Sequence, residues 1–599
     1  MRKRSNYIVY LSIFSFLFLS SLNLCAEKKP PRGGKELAFS SDFLDWRPSG
    51  GRKSEATFTV VKTSHRAFKK AREIVIEKNT SHETDIQLVG KTTDSIKKGD
   101  VLLLSFYARC TASSDESALG HLTVLLQARK TKKTETLFNR TFMPEKKWKR
   151  FFLRTTAPIN NGEGYTVSFR LGGTKPQTLQ IAKLQLLNYR DLYAIEKLPK
   201  TEISYPGMDP RAPWRKEAQA RINKYRKEEL KVLVLDGKGR PVPRAKVEVK
   251  LQRHAYGFGA AIALHAMFNE KNVEDAKQYQ MAVTNLFNKV VFENRLKWKY
   301  FRENDAVLKE AIDWCQTNNL PIRGHCLVWP AWRRLPPAME QEFADRPEEF
   351  RLEIARHIQK MVNLYPDAFC EWDVVNELYS EHQFVDLLGK EAVVDWFKIT
   401  KEANPNFKRY INDYAILAGH DQAHQDNYYE WIRYLLDHGA PVDGIGLQSH
   451  FRAPVSPEEI YARLDRFAQF GLEMQITEYD FGDPDELLQA RFTRDFMTVV
   501  FSHPKTVGIL TWCLWEKASW RGNIAFYDKD WKKRRIALAW EHMIKKEWNT
   551  SATLRTNQEG LAQIRGFLGE YKIVVFANGR KKTVPFNLQK GADVLEVSL

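Results

Sequence analysis

From about residue 257 onward, apolar strand candidates and helical segments alternate eight times, and few folds accept that order. The strand candidates are FGAAIA, VVFEN, IRGHCLVW, CEWDVVNE, RYINDY, GIGLQSH, EMQITEYD and ILTWCLW, each followed by a helical pattern. In DAVLKEAIDWC, Leu308, Ala311, Ile312 and Cys315 recur at the spacing of one helix face. A further helix is expected to start at Ser456, with Pro457 in its first turn and Glu459 as the capping partner, and to end at Gly471. NYYEWIRYLLDHG predicts another, ending at Gly439. Strand–helix units over residues 257–548 predict a closed (β/α)8 barrel. An open doubly wound sheet is the alternative, but it usually stops nearer about six strands.

The flanks read differently. Residues 1–26 have the order of a secretory signal: Arg2, Lys3 and Arg4, then an apolar stretch from Tyr7 to Leu19, then Ala26 before a cleavage point. A lipid anchor would use Cys25, but Leu24 is bulky for the residue before it. Residues 27–36 are a linker rich in Pro and Gly. Short β-like runs over residues 37–190, separated by turn-rich pieces, predict a β-sandwich with a jelly-roll-like, carbohydrate-binding-module-like character. Trp46, Trp148 and Tyr165 are candidate sugar-stacking aromatics there, against the alternative of core or edge packing. Residues 191–228 are a charged connector with a short helix. Residues 229–256 predict a β-hairpin or small Ig-like piece turning at Asp236-Gly237, and residues 549–599 a small β domain with a turn at Asn578-Gly579. Beyond Cys25 the cysteines are Cys110, Cys315, Cys326, Cys370 and Cys513; they are far apart and predict buried thiols rather than a disulfide framework.

A net charge of +20 admits nucleic acid, an acidic polysaccharide or an anionic surface as partner. Lys and Arg are scattered, with no basic block interleaved with aromatics, so no nucleic-acid groove is expected. No stretch after the signal is long and apolar enough for stable membrane insertion.

Polar residues gather at the C-terminal ends of the barrel strands, the rim that carries active sites in such barrels. The second strand runs into Glu293 and Asn294, with Lys297 and Trp298 beyond. The third offers His325 and Trp329, the fourth Asn376 and Glu377, the fifth Asn412 and Asp413. The sixth offers Gln448 and His450, the seventh Glu478 and Asp480, the eighth Trp512 with Trp520 after it. Glycoside cleavage needs two carboxyl groups flanking the scissile bond, and Glu377 and Glu478 end strands that face each other across a barrel mouth. Tryptophan faces suit pyranose rings. There is no HExxH, no paired-Cys spacing, no GxSxG elbow and no phosphate loop, so neither metal nor cofactor is expected.

The segments FENRLKW, RGHCLVW, WDVVNE, GIGLQSH and ITEYD, in this order and spacing, resemble glycoside hydrolase family 10, the endo-β-1,4-xylanase family; the resemblance spans the barrel. It implies that Glu377 is the general acid/base, Asn376 the residue bonding the sugar 2-hydroxyl and Glu478 the nucleophile. His450 would bond the nucleophile and Asp480 orient His450. His325, Trp329, Trp512 and Trp520 would line the sugar site next to cleavage, with Gln448 also among the substrate-binding residues. Glu293, Asn294 and Lys297 would hold the next sugar outward. The charge of Glu478 is expected to raise the pKa of Glu377, and a hydrogen bond from His450 to keep Glu478 ionised.

The chain departs from the family pattern after the third strand. Pro330 and Trp332 stand where His and Gln are usual, which predicts an outer sugar site altered by Trp332 stacking. Glu516 stands where Asp is usual, and Cys513 and Trp515 replace smaller or less bulky residues. The implied activity is retaining, cofactor-free hydrolysis of xylan outside the cytoplasm, extracellular or periplasmic. Mixed β-1,3/1,4-xylan and short xylo-oligosaccharides remain alternative substrates, a non-catalytic polysaccharide-binding protein and a surface adhesin alternative functions. The sequence leaves the oligomeric state open.

Overall fold

A computed structural model describes residues 29–599 except 79, 81–82, 115–119, 130–133, 161–164, 173, 175, 202–204, 420, 484 and 522–523. The expected signal segment and Cys25 lie outside the described residues.

Eight strands form the barrel: β1 (Gly257–Ile262), β2 (Lys289–Phe292), β3 (Ile322–Gly324), β4 (Phe369–Asn376), β5 (Lys408–Asp413), β6 (Gly444–Leu447), β7 (Glu473–Phe481) and β8 (Thr506–Thr511). Each pairs in parallel with the next. β8 closes on β1, with Phe258 opposite Ile509. Closure leaves no unpaired edge. The helices between strands turn their apolar stripes inward. In Ala306–Thr317 the buried residues are Leu308, Ala311, Ile312 and Cys315, the face expected from their spacing, and Asp305 caps the first turn. Ser456 accepts from the Glu459 N–H at the start of Pro457–Ala468. Gly439 and Gly471 follow their helices in the left-handed conformation that ends a helix at little cost to glycine.

The strands before and after the barrel share one β unit. Lys227–Leu235 pairs antiparallel with Leu561–Phe567 and parallel with Leu595–Ser598. Lys246–His254 pairs with Ser551–Arg555 and Gly569–Ala577. Of the two forms expected at 229–256, hairpin or small Ig-like piece, the hairpin is confined to the turn, where Leu235 bridges Pro241; the two long strands enter different sheets, three-stranded and four-stranded. Strands do follow the barrel as expected, but they complete a sandwich that the barrel interrupts. The physical reason is burial. Val232, Val247, Val249, Ile573 and Val575 alternate inward and are covered only when the two sheets meet.

Residues 35–188 form two packed antiparallel sheets, six- and five-stranded. Trp46 and Tyr165 are buried in the core between them, which removes both from the candidate sugar-stacking aromatics. Trp148 is half-buried beside Phe68, with Arg109 over its ring. The five described cysteines are free; all are buried except Cys370, which is partly so. Among the described residues no helix is long and apolar enough to cross a membrane.

Candidate active site

Three successive strand exits leave the barrel through left-handed backbone. Glu377 after β4, Ala415 after β5 and Ser449 after β6 have φ of 60°, 57° and 69°. Such conformations cost a non-glycine residue about 1–3 kcal/mol and collect at functional sites. At β4 the turn is fixed by the Glu377 N–H, which donates to the Asn412 carbonyl at 2.9 Å.

These exits bring the two glutamates into one hydrogen-bond network. The Asn412 amide, at the end of β5, donates both to Asn376 Oδ1 (2.9 Å) and to Glu478 Oε1 (3.0 Å). Thr477 holds that amide in register by donating to Asn412 Oδ1 at 2.8 Å. Gln448 Nε2 donates to Glu377 Oε1 at 3.0 Å and to Asn376 Oδ1 at 3.3 Å. With its carbonyl occupied, Asn376 keeps its Nδ2 group buried and without a protein acceptor. A buried donor of this kind is costly unless something bonds to it, and a sugar hydroxyl is chemically suited.

Glu478 sits on a charge relay. His450 Nε2 lies 3.3 Å from Glu478 Oε2, and His450 Nδ1 lies 2.9 Å from Asp480 Oδ2. Asp480 also accepts from Trp520 Nε1 at 3.1 Å and is ion-paired with Arg521. Burial would lower the His450 pKa, but Asp480, by charge and hydrogen bond, and Glu478 raise it to about 9. The ring is then an imidazolium donating from both nitrogens. Burial likewise pushes Glu478 up, but the His450 hydrogen bond and the charges of His325, His450 and Lys297 outweigh it, and its pKa is lowered.

Glu377 shifts the other way. Its pKa is raised, first by burial and then by the charges of Asp413 and Glu478, against the Gln448 hydrogen bond and Arg334. The expected direction holds, but Glu478 is not the leading cause. The two carboxyls are thus displaced in opposite directions in one cleft, the pattern of acid–base partners.

The remaining rim residues fall around this pair. His325 Nδ1 is 2.9 Å from Asp373, and the ring meets Trp512 edge-on with centroids 5.4 Å apart. Lys297 donates to Asn294 at 3.0 Å and lies over the Trp329 and Trp512 rings. Burial raises the Glu293 pKa, with Lys297 opposing. Gln448 spends its amide on Glu377 and Asn376, so it positions the glutamate as well as lining the cleft. Trp298 stacks on His357 at 3.7 Å, a packing contact.

Trp332 is only partly available to a sugar. It is partly buried against Phe350 and Phe384, centroids 4.7 and 5.0 Å away, so part of the ring expected to stack in the sugar groove is spent on packing. Two contributors carry no motif signal: Arg521, which charges the relay, and Arg334, whose guanidinium lies 3.4 Å from the centroid of the Trp329 ring. Asn412 was visible as a polar strand end, but nothing local marked it as the bridge between Asn376 and Glu478. Among the described residues no group of three or more His, Cys, Asp or Glu is arranged to hold a metal ion.

Comparison with known proteins agrees with this geometry. Residues 250–545 match the model of Glycosyl hydrolase family 10. Over 394 residues the chain is 30% identical to the anti-sigma-I factor RsgI6 of Acetivibrio thermocellus, covering 64% of this chain and 50% of that protein. It is 30% identical over 253 residues to endo-1,4-beta-xylanase 3 of Hypocrea jecorina, covering 39% of this chain and 67% of that protein. The crystal structure of xylanase 10B from Thermotoga petrophila in complex with xylobiose aligns with 49% of this chain and 95% of its own, at 25% identity and a TM-score of 0.45. The chain spans between 33% and 50% of the length of RsgI6 and of three Arabidopsis thaliana endo-1,4-beta-xylanases that it also matches.

Proposed function

The chain belongs to glycosyl hydrolase family 10, and on that footing we propose that it hydrolyses internal β-1,4-xylosidic bonds of xylan with retention of configuration, after export from the cytoplasm. The observation that carries the reading is the opposite displacement of two carboxyls, Glu377 up and Glu478 down, around Asn376 with its unpartnered amide.

In the first step Glu478 attacks the anomeric carbon while Glu377 gives its proton to the departing glycosidic oxygen. A glycosyl–Glu478 ester forms and the shortened chain leaves as an alcohol. Ester formation removes the negative charge of Glu478, so the now ionised Glu377 is favoured as a base. It takes a proton from water as the water oxygen attacks the anomeric carbon, which releases Glu478 and restores the proton to Glu377. The His450 imidazolium, fixed by Asp480, steadies the carboxylate that leaves in this second step. Asn376 Nδ2 is suited to bond the 2-hydroxyl, an interaction that strengthens in the transition state.

The arrangement Lys297, His325, Trp329, Trp512 and Trp520 supports the sugar side of the cleft, and the basic-then-apolar order of the first residues supports export. In the N-terminal sandwich only Trp148 stays partly exposed among the three aromatic candidates, so a weak glycan contact there would centre on it. Proton NMR of the first products released from xylohexaose tests the reading. β-Anomer appearing before mutarotation supports it, and initial α-anomer or no release overturns it.

A further inference from the structure

Beside the catalytic pair lies a cationic feature that the mechanism does not use. The loop after β3 carries Arg333 and Arg334, and the loop after β4 carries Glu381. Glu381 is buried, its side chain 4% exposed, and it accepts from both arginines. One carboxylate thus serves two guanidinium groups, and the pair is left with a surplus positive charge. Arg334 donates to Glu381 through Nε (3.2 Å) and Nη2 (2.9 Å). Its Nη1 has no protein acceptor among the described residues, while the guanidinium plane covers Trp329 at 3.4 Å from the ring centroid. Lys297 Nζ approaches the same ring at 5.3 Å. Two cations therefore converge on the tryptophan at the sugar side of the cleft, where Pro330 has no N–H and Trp332 has turned into the Phe350–Phe384 cluster.

We infer that Arg334 is a specificity-determining residue that recognises a carboxylate on the substrate, so that the preferred substrate is xylan bearing uronic-acid side groups rather than plain xylan. This rests on the proposed xylan-hydrolysing activity and sharpens it. A neutral hydroxyl asks only for an amide. A guanidinium held flat on a ring, anchored at one edge and free at the other, is a pre-organised carboxylate receptor, because little rotamer freedom is left to lose. The anchor matters as much as the cation. Glu381 follows Glu377 on the same loop, its N–H donating to the Glu377 carbonyl at 2.9 Å, so the receptor's anchor and the acid are built on one piece of backbone. Arg334 also opposes the raised pKa of Glu377, which links substrate charge to the proton on the acid: a bound carboxylate neutralises Arg334 and favours the protonated form of Glu377, the form needed for the first step.

The test compares kcat/KM of the full chain on two xylo-oligosaccharides of equal length, one plain and one carrying a single glucuronic acid branch, for wild type, Arg334→Gln and Arg334→Lys. Wild type is expected to favour the acidic substrate by roughly tenfold, the scale of one charged hydrogen-bonded contact. Arg334→Gln should bring the ratio to about one, through KM on the acidic substrate. Arg334→Lys should keep part of the preference. Arg333 stays on Glu381 in each variant, so the buried carboxylate is not orphaned. Loss of the cation should also move the alkaline limb of the kcat/KM profile to higher pH on the plain substrate, which a merely structural role would not do. Equal rates on both substrates by wild type, or a ratio unmoved in Arg334→Gln, overturns the inference while leaving the xylan reading standing. Hydrolysis of neither substrate sinks the xylan reading, and this inference with it.

Discussion

Two glutamates lie near opposite ends of strand β4, and their fates differ. Glu371, near its N-terminal end, is 2.6 Å from Lys289 Nζ and 2.7 Å from Arg323 Nη1, and accepts from Gln475 at 2.5 Å. Burial pushes its pKa up, but those cations hold it down at about 2. Glu377, just past the other end, receives one neutral hydrogen bond from Gln448 and has its pKa raised. Residue type is the same, but Glu371 is buried and Glu377 partly exposed at the rim, so the partners and not the depth hold Glu371 down. At the bottom of the barrel Glu371 is matched by Lys289 and Arg323, and Arg323 also by Asp373. At the top the match is withheld, and in the proposed mechanism the unmet demand of Glu377 is what the acid step draws on.

That contrast can be broken most severely at the proposed nucleophile. Glu478→Ala is expected to lower kcat on every substrate by roughly 10⁴- to 10⁶-fold, as removal of a catalytic nucleophile does, and to lower the melting temperature near neutral pH, because the ionised carboxylate contributes stability there. A variant retaining a tenth of wild-type activity would show that Glu478 is only a support.

Glu377→Ala should cost about 10²- to 10⁴-fold on xylan, the range for a general acid/base. It should spare formation of the intermediate from an aryl xyloside whose leaving group needs no proton. Azide should then speed turnover and yield a β-glycosyl azide; an α-azide would refute the double displacement.

The bottom end should respond in stability instead. Glu371→Ala leaves Lys289 and Arg323 buried beside one another, with Asp373 still paired to Arg323. Stranding a buried charge costs about 3–5 kcal/mol, so calorimetry should show a clear drop in melting temperature. Unchanged stability would erase the distinction between the two ends.

The smallest effect is the most discriminating in sign. A raised folded-state pKa means that Glu377 contributes stability present below its unfolded pKa and lost as pH rises through the folded value. Glu478, lowered, contributes stability present above its unfolded pKa and lost as pH falls through the folded value. At pH 7 the ionised form of Glu377 is therefore disfavoured, and Glu377→Gln should raise the melting temperature by about 2 °C, whereas Glu371→Gln should lower it. Activity should fall at high pH as Glu377 loses its proton and at low pH as Glu478 gains one.

The contrast also marks what sequence could disclose. The barrel was legible because its signals are local: the stripe Leu308–Ala311–Ile312–Cys315 and the Ser456 cap each lie within one helix. The carboxyl pair was legible because both residues sit in ordered motifs at strand ends. Asn412 as the bridge to Glu478 was not, since an Asn at a strand end looks alike whether or not it spans two neighbouring strands. The side-chain direction of Trp332 was set by Phe350 and Phe384, on different segments, and no periodicity carries that. Nor could alternation in Lys227–Leu235 announce a partner at Leu561–Phe567 on the far side of the whole barrel. Arg334 was hidden for the same reason, since its partner Glu381 lies on the next strand's loop.

One measurement bears most directly on the division of labour between the two glutamates. Glu377→Ala enzyme is mixed with a dinitrophenyl β-xylobioside, quenched in acid before the ester hydrolyses, digested, and read by tandem mass spectrometry. The account predicts a xylobiosyl mass added to the peptide containing Glu478, on that side chain. Label on another carboxylate, or steady release of dinitrophenol beyond one equivalent with no labelled peptide at any quench time, would contradict it.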